Sequence, residues 1–217
     1  VSEIPGPVTE WCVPARNGWL CRMTASDPKE DLHGYLRLAR EVMVWKLEGL
    51  SEYDIRRPLT PTGTNLLGLI KHLSYCELGY FGATFGRPAD HLLPALPDDD
   101  PHADMWATPQ ESREDVVGRY QQVCAHADAT IEASASDTPG RVPHWSAERS
   151  EVTLHLVLTH MLAETQRHAG HADIVRELVD GAAGLRLGNE NLPPADAARW
   201  EDHRNRLERA AAQAEKG

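Results

Sequence analysis

Apolar residues recur at three- and four-residue spacing along five stretches of the chain, the spacing of a helix that buries one face. The longest is residues 153–180, where Leu154, Val157, Leu158, Met161, Leu162, Ile174, Val175, Leu178 and Val179 mark a single helix with a packed stripe. Upstream, Asp27 is placed to cap a helix with Pro28 in its first turn and Glu30 and Asp31 near its positive end. Leu32, Leu36, Ala39, Val42 and Met43 carry that helix toward a stop at Gly49. A second helix is predicted over 64–85 with Thr64 as cap. A third is predicted over 109–133, where Thr108, Pro109 and Glu111 form a capping-box pattern. Asp196 caps a last one reaching residue 212.

Between these stretches the polar and helix-breaking residues collect. Pro58, Pro61 and Gly63 make 52–63 a connection, and 86–108 is longer than a connector needs to be. Residues 134–150 and 181–195 read as further loops, and no strand or internal repeat is predicted. The expected fold is therefore all-α: a four-helix bundle with an additional C-terminal helix and long connecting loops. Residues 28–217 form the bundle domain. Residues 1–27, broken by Pro5, Pro7, Pro14, Asn17 and Gly18, read as an irregular N-terminal extension whose composition favours disorder. Met23 makes a start-site extension the first reading there, with a docking arm as the alternative.

Composition narrows the class. The chain has 217 residues, enough for one domain with a real core, and its 41% apolar and 25% charged content are those of a soluble globular protein. A net charge of −11 provides no basic stripe for nucleic acid. No apolar run is long enough for a membrane span and no leader pattern opens the chain. Cys12, Cys21, Cys76 and Cys124 have no close pair spacing and read as reduced thiols of a cytoplasmic protein.

One feature of the long helix breaks the apolar pattern. At about 100° per residue, Glu164 and His168 fall in one column that His160 and His171 continue, and Val157, Val175 and Leu178 lie within about 40° of Glu164. His155, Gln166, Asp173 and Glu177 fall on the opposite, solvated side. A carboxylate and three imidazoles thus face the packed side, where an ionised carboxylate is costly unless paired or bound to a metal. On the second helix His72 shares the inward half with Leu69, Leu73, Cys76 and Tyr80. Spacing alone leaves two readings level, a metal site or a buried hydrogen-bonded Glu164–His168 pair. His171 is read first as a pocket acid/base group or a partner behind the ligands and second as a replacement ligand, and His160 as a packing residue or a partner behind the ligands. Asp98, Asp99 and Asp100 read as a solvated loop. Trp106 and Trp145 read as covers of the core that could also wall a pocket.

The run Glu164-Thr-Gln-Arg-His168-Ala-Gly-His171, together with Leu69-Ile-Lys-His72-Leu, resembles the DinB-like family of metal-binding four-helix bundles, in its actinobacterial branch of mycothiol-dependent enzymes. The resemblance spans roughly residues 31–208. It implies a divalent metal, zinc first with nickel or iron as alternatives, held by His72, Glu164 and His168. Most members carry histidine where Glu164 stands; glutamate there is similar to the mycothiol-dependent maleylpyruvate isomerase branch. Two histidines and a carboxylate from facing helices leave a coordination position free, the pattern of a catalytic site.

What the resemblance implies for function is a zinc-dependent thiol S-transferase of detoxification type, with mycothiol as co-substrate and a small electrophile as its target. An isomerase is disfavoured, because the family's isomerase uses an added C-terminal domain with a substrate-binding arginine, for which Arg186 is only the nearest stand-in. A thiol-independent metal hydrolase is one alternative. A non-catalytic, stress-related metal or small-ligand binding protein, with a homodimer as an open assembly, is another.

Overall fold

The computed structural model describes residues 27–186, 188–190, 192–193 and 196–215, together with the backbone of two short strands upstream, β1 (Val13–Ala15) and β2 (Gly18–Leu20), which pair antiparallel. The rest of the expected irregular extension over 1–27, with Cys12 and Cys21, lies outside the described residues. From there the chain runs through α1 (Pro28–Trp45), α2 (Glu52–Arg56), α3 (Leu66–Phe81), α4 (Arg113–Ala133), a hairpin of β3 (Pro139–Arg141) and β4 (Glu151–Thr153), α5 (Leu154–Asp180) and α6 (Ala197–Ala214). The fold is an all-α bundle of α1, α3, α4 and α5, as expected. Among the described residues no helix is long and apolar enough to cross a membrane.

The caps follow sequence chemistry, with two corrections. Asp27 accepts from the Lys29 amide, Thr153 from Leu156 and Asp196 from Arg199, as expected. The second helix is capped by Asn65, whose side chain accepts from Gly68 N–H, and not by Thr64. It stops at Phe81, and the expected last turn is a separate short 3₁₀ turn over Ala83–Phe85. The third helix begins at Arg113 with Ser112 as cap, not at 109. Glu111 still makes half of the expected capping box, its carboxylate accepting from the Thr108 amide at 2.8 Å, but the same carboxylate also binds Lys71 at 3.0 Å. That tie to α3 holds 108–111 in a turn and delays the helix. The stretch 52–63 is not wholly irregular, since α2 lies within it, and the β3–β4 hairpin pairs where no strand was expected.

Two apolar clusters show how the helices run. One joins Met43 of α1 and Leu47 just beyond it, Leu66–Ile70 of α3, Val116 and Tyr120 of α4, and Ala172 and Val175 of α5. The other joins Leu36, Phe81, Ile131, and Leu154, Val157 and Leu158. So α1 and α5 run one way while α3 and α4 both run the other. The parallel α3–α4 pair explains the long 82–112 segment: it must return the chain over the full length of the bundle, as crossover connections do.

That crossover is pinned along α3. Asn65 Nδ2 donates to Met105 O at 3.2 Å, Lys71 Nζ to Trp106 O at 3.0 Å and Tyr75 Oη to Pro94 O at 2.8 Å. Gly68 permits the approach, because a Cβ there would stand 1.8 Å from Met105 O. Asp100, expected to be merely solvated, receives the Trp106 indole N–H at 2.9 Å and the His102 amide at 2.9 Å.

Not all of the long helix's apolar stripe is packed. Val157 and Val175 are buried, but Ile174 and Leu178 are 62% and 63% exposed, which corrects their assignment to the buried face. Near the C-terminal end of α5 that part of the stripe turns to solvent. Asp173, expected to be solvated, instead pairs with the buried Lys46 at 2.5 Å. No described residue of α6 is buried, so this helix adds nothing to the core.

Candidate metal centre

Helices α3 and α5 run antiparallel, and their polar columns meet rung by rung. His72 faces His168, with ring centroids 4.9 Å apart, and Tyr80 faces His160 at 4.7 Å. Cys76 and Glu164 lie on the rung between, one turn from each neighbour. Four-residue steps on both helices keep each column on one face with only slow drift, so the rungs stay in register.

Within this column one donor atom each from His72, Glu164 and His168 lies within 4.8 Å of the others. His168 Nε2 is 3.0 Å and His72 Nε2 is 3.6 Å from the same oxygen, Glu164 Oε1. All three side chains are largely sheltered, His168 most. Burial pushes the Glu164 carboxyl up, but the hydrogen bond from His168 and the two imidazoles outweigh it and hold the group below the usual carboxylate range. For His168 burial and the neighbouring His72 keep the ring neutral, the form that offers a lone pair. The donor set fits a divalent metal: two imidazoles and a carboxylate converge, and zinc, nickel or iron accepts such ligands.

The groups behind the ligands were only partly legible. Asp104 Oδ2 stands 2.6 Å from His72 Nδ1, which leaves Nε2 directed at Glu164. Nothing in the sequence marked Asp104, because it reaches α3 only through the crossover. His171 Nδ1 lies 3.4 Å from His168 Nδ1, on the side of the ring away from Glu164. Cys76 Sγ is 3.4 Å from His72 Nε2, and burial, with the charges of Glu164 and Asp104 added, pushes its thiol up to about 12. His160 packs between Tyr80 and Trp145. Arg186 is not brought to the triad: it lines a cleft with Leu38, Glu41, Val42 and Trp45 along α1.

A family model described as mycothiol S-transferase matches residues 31–181, which takes in all four bundle helices and every residue of the triad. The chain belongs to the mycothiol S-transferase family. No curated protein matches it. The matched span ends just after α5, and the solvent-exposed α6 lies beyond it.

Proposed function

We propose that this chain is a metal-dependent S-transferase that joins mycothiol to a small electrophile. The observation that carries the reading is the convergence of His72, Glu164 and His168 from two antiparallel helices in a chain of the mycothiol S-transferase family. His72, Glu164 and His168 would hold the ion, with zinc the first choice for this donor set. Such an ion supplies a Lewis-acid position at which a thiol loses its proton near neutral pH. Asp104 fixes the ring of His72 from behind, and His171 stands in the same position relative to His168. The neutral Cys76 thiol and the Tyr80 ring continue the wall along the column, away from His72.

The test compares zinc-loaded wild-type protein with His72→Ala, each given mycothiol and 1-chloro-2,4-dinitrobenzene. Conjugate formation that depends on both metal and thiol, and drops at least about 100-fold in the variant, supports the reading; the margin is the scale on which catalytic groups act. Equal rates in the two proteins would sink it. Ester turnover without any thiol would move the assignment to a hydrolase.

A further inference from the structure

Two helical turns along α3 from His72, the bundle carries an aromatic enclosure that metal binding does not require. The Tyr80 ring is 4.7 Å from His160, 5.5 Å from His144 and 5.9 Å from Trp145, and Trp145 is 5.5 Å from His160. The rings meet edge-on or tilted, not stacked face to face. Tyr80 is largely buried, Trp145 and His160 are half-buried and His144 is exposed, so the His144 edge of the cluster meets solvent.

Its hydrogen bonding is directional. The Trp145 indole N–H donates to Tyr80 Oη at 3.2 Å, so this oxygen accepts. The other contact of Tyr80 Oη is the exposed His144 Nε2 at a long 3.4 Å, whose direction follows the His144 tautomer; in either direction the phenol proton is at most weakly held. A phenol held by a donor and only weakly engaged at its own proton is poised to donate to an acceptor entering from the His144 side. At 1.5 Å per residue, the Tyr80–His160 rung is about 6 Å from the Cys76–Glu164 rung and about 12 Å from the His72–His168 rung. A small molecule can span the nearer of these gaps.

We propose that this enclosure is the electrophile's subsite and that it selects uncharged aromatic α,β-unsaturated ketones, whose carbonyl oxygen takes the Tyr80 hydrogen bond. The inference rests on the S-transferase reading above. In the reaction the thiol sulfur forms a bond to the β-carbon, the carbon–carbon π pair shifts to lie between the α-carbon and the carbonyl carbon, and the carbonyl π pair moves onto oxygen. Tyr80 stabilises the charge developing there. The thiol's proton ends on the α-carbon, so thiol and ketone add with no leaving group. The aromatic rings hold the substrate's own ring edge-on.

The experiment uses the whole metal-loaded chain and its Tyr80→Phe variant, which keeps the ring; an unchanged thermal midpoint confirms that it folds. Benzylacetone, which is saturated and cannot react, is titrated by ligand-observed NMR without thiol. Its affinity falls about 3- to 10-fold in the variant, the scale of one uncharged hydrogen bond. With mycothiol, kcat/KM for benzylideneacetone falls about 100-fold. For benzyl chloride, which has no oxygen acceptor, it stays within about twofold. Benzylacetone that fails to bind, or binds both proteins equally, overturns the subsite. So does an equal loss on both electrophiles. Tyr80-sensitive benzylacetone binding with no thiol conjugation in wild type upholds the subsite and defeats the S-transferase reading alone.

Discussion

Asp104 Oδ2 lies 2.6 Å from His72 Nδ1, so a residue of the crossover sets which nitrogen of a helix residue faces Glu164. The imidazole is held by its back edge, and the ring cannot turn without breaking a charge-assisted bond. The long 82–112 segment therefore does two jobs: it returns the chain along the bundle and it orients the His72 ring.

Asp104→Ala should lower metal affinity about 10- to 100-fold, the usual effect of removing a group that orients a ligand histidine. Competition with a chromophoric chelator measures it. Unchanged affinity would mean that packing alone orients His72.

Gly68→Ala places a methyl 1.8 Å from Met105 O and 2.6 Å from its carbonyl carbon, so the crossover must lift from α3. The expected loss is about 1–3 kcal/mol of stability, typical of overpacking. A fall in metal affinity should accompany it, because Asp104 neighbours the displaced Met105. Urea denaturation and metal titration on the same variant check both. Lost stability with full metal affinity would show that Asp104 reaches His72 independently of the 105 backbone.

Arg40 grips Glu77 through two 2.7 Å bonds in the bundle interior, and Glu77 is fully buried. Removing one partner strands the other charge. Arg40→Met alone should cost about 3–5 kcal/mol, and adding Glu77→Leu should restore most of the loss. Urea midpoints of the two variants decide it; a double variant no better than the single one would refute the desolvation account.

Asp128 gives a pH prediction. Burial raises its carboxyl, but the His33 hydrogen bond at 2.6 Å and the Arg40 guanidinium at 2.6 Å together bring it below the usual carboxylate value. The unfolded chain, near pKa 3.9, takes up the proton first as pH falls. The stabilisation is therefore complete above about pH 5 and lost progressively as pH drops through the depressed folded value. Between pH 5 and pH 3 the wild type should lose more stability than Asp128→Asn. Parallel urea midpoints would refute this.

Helix positions were legible because caps and apolar periodicity are local. Asp27, Thr153 and Asp196 cap as their types predict, and residues 153–180 form one helix almost to the residue. The start of α4 was misplaced because Lys71, distant in sequence, ties Glu111 to α3 while the same carboxylate binds the Thr108 amide. The exposure of Ile174 and Leu178 was illegible for a similar reason, since periodicity shows that a helix has an apolar side but not where its neighbours end.

The amino-acid sequence alone determined the five long helices to within a few residues at their ends, and the inward facing of Glu164, His168 and His72, since each follows from side-chain chemistry within a few turns of one backbone. Tertiary structure decided which columns face one another: the antiparallel register of α3 and α5, the parallel α3–α4 pair, the placing of Asp104 behind His72, and the meeting of Tyr80 with His144, Trp145 and His160. Those contacts depend on how the apolar faces of whole helices share one interior, and no local spacing encodes that.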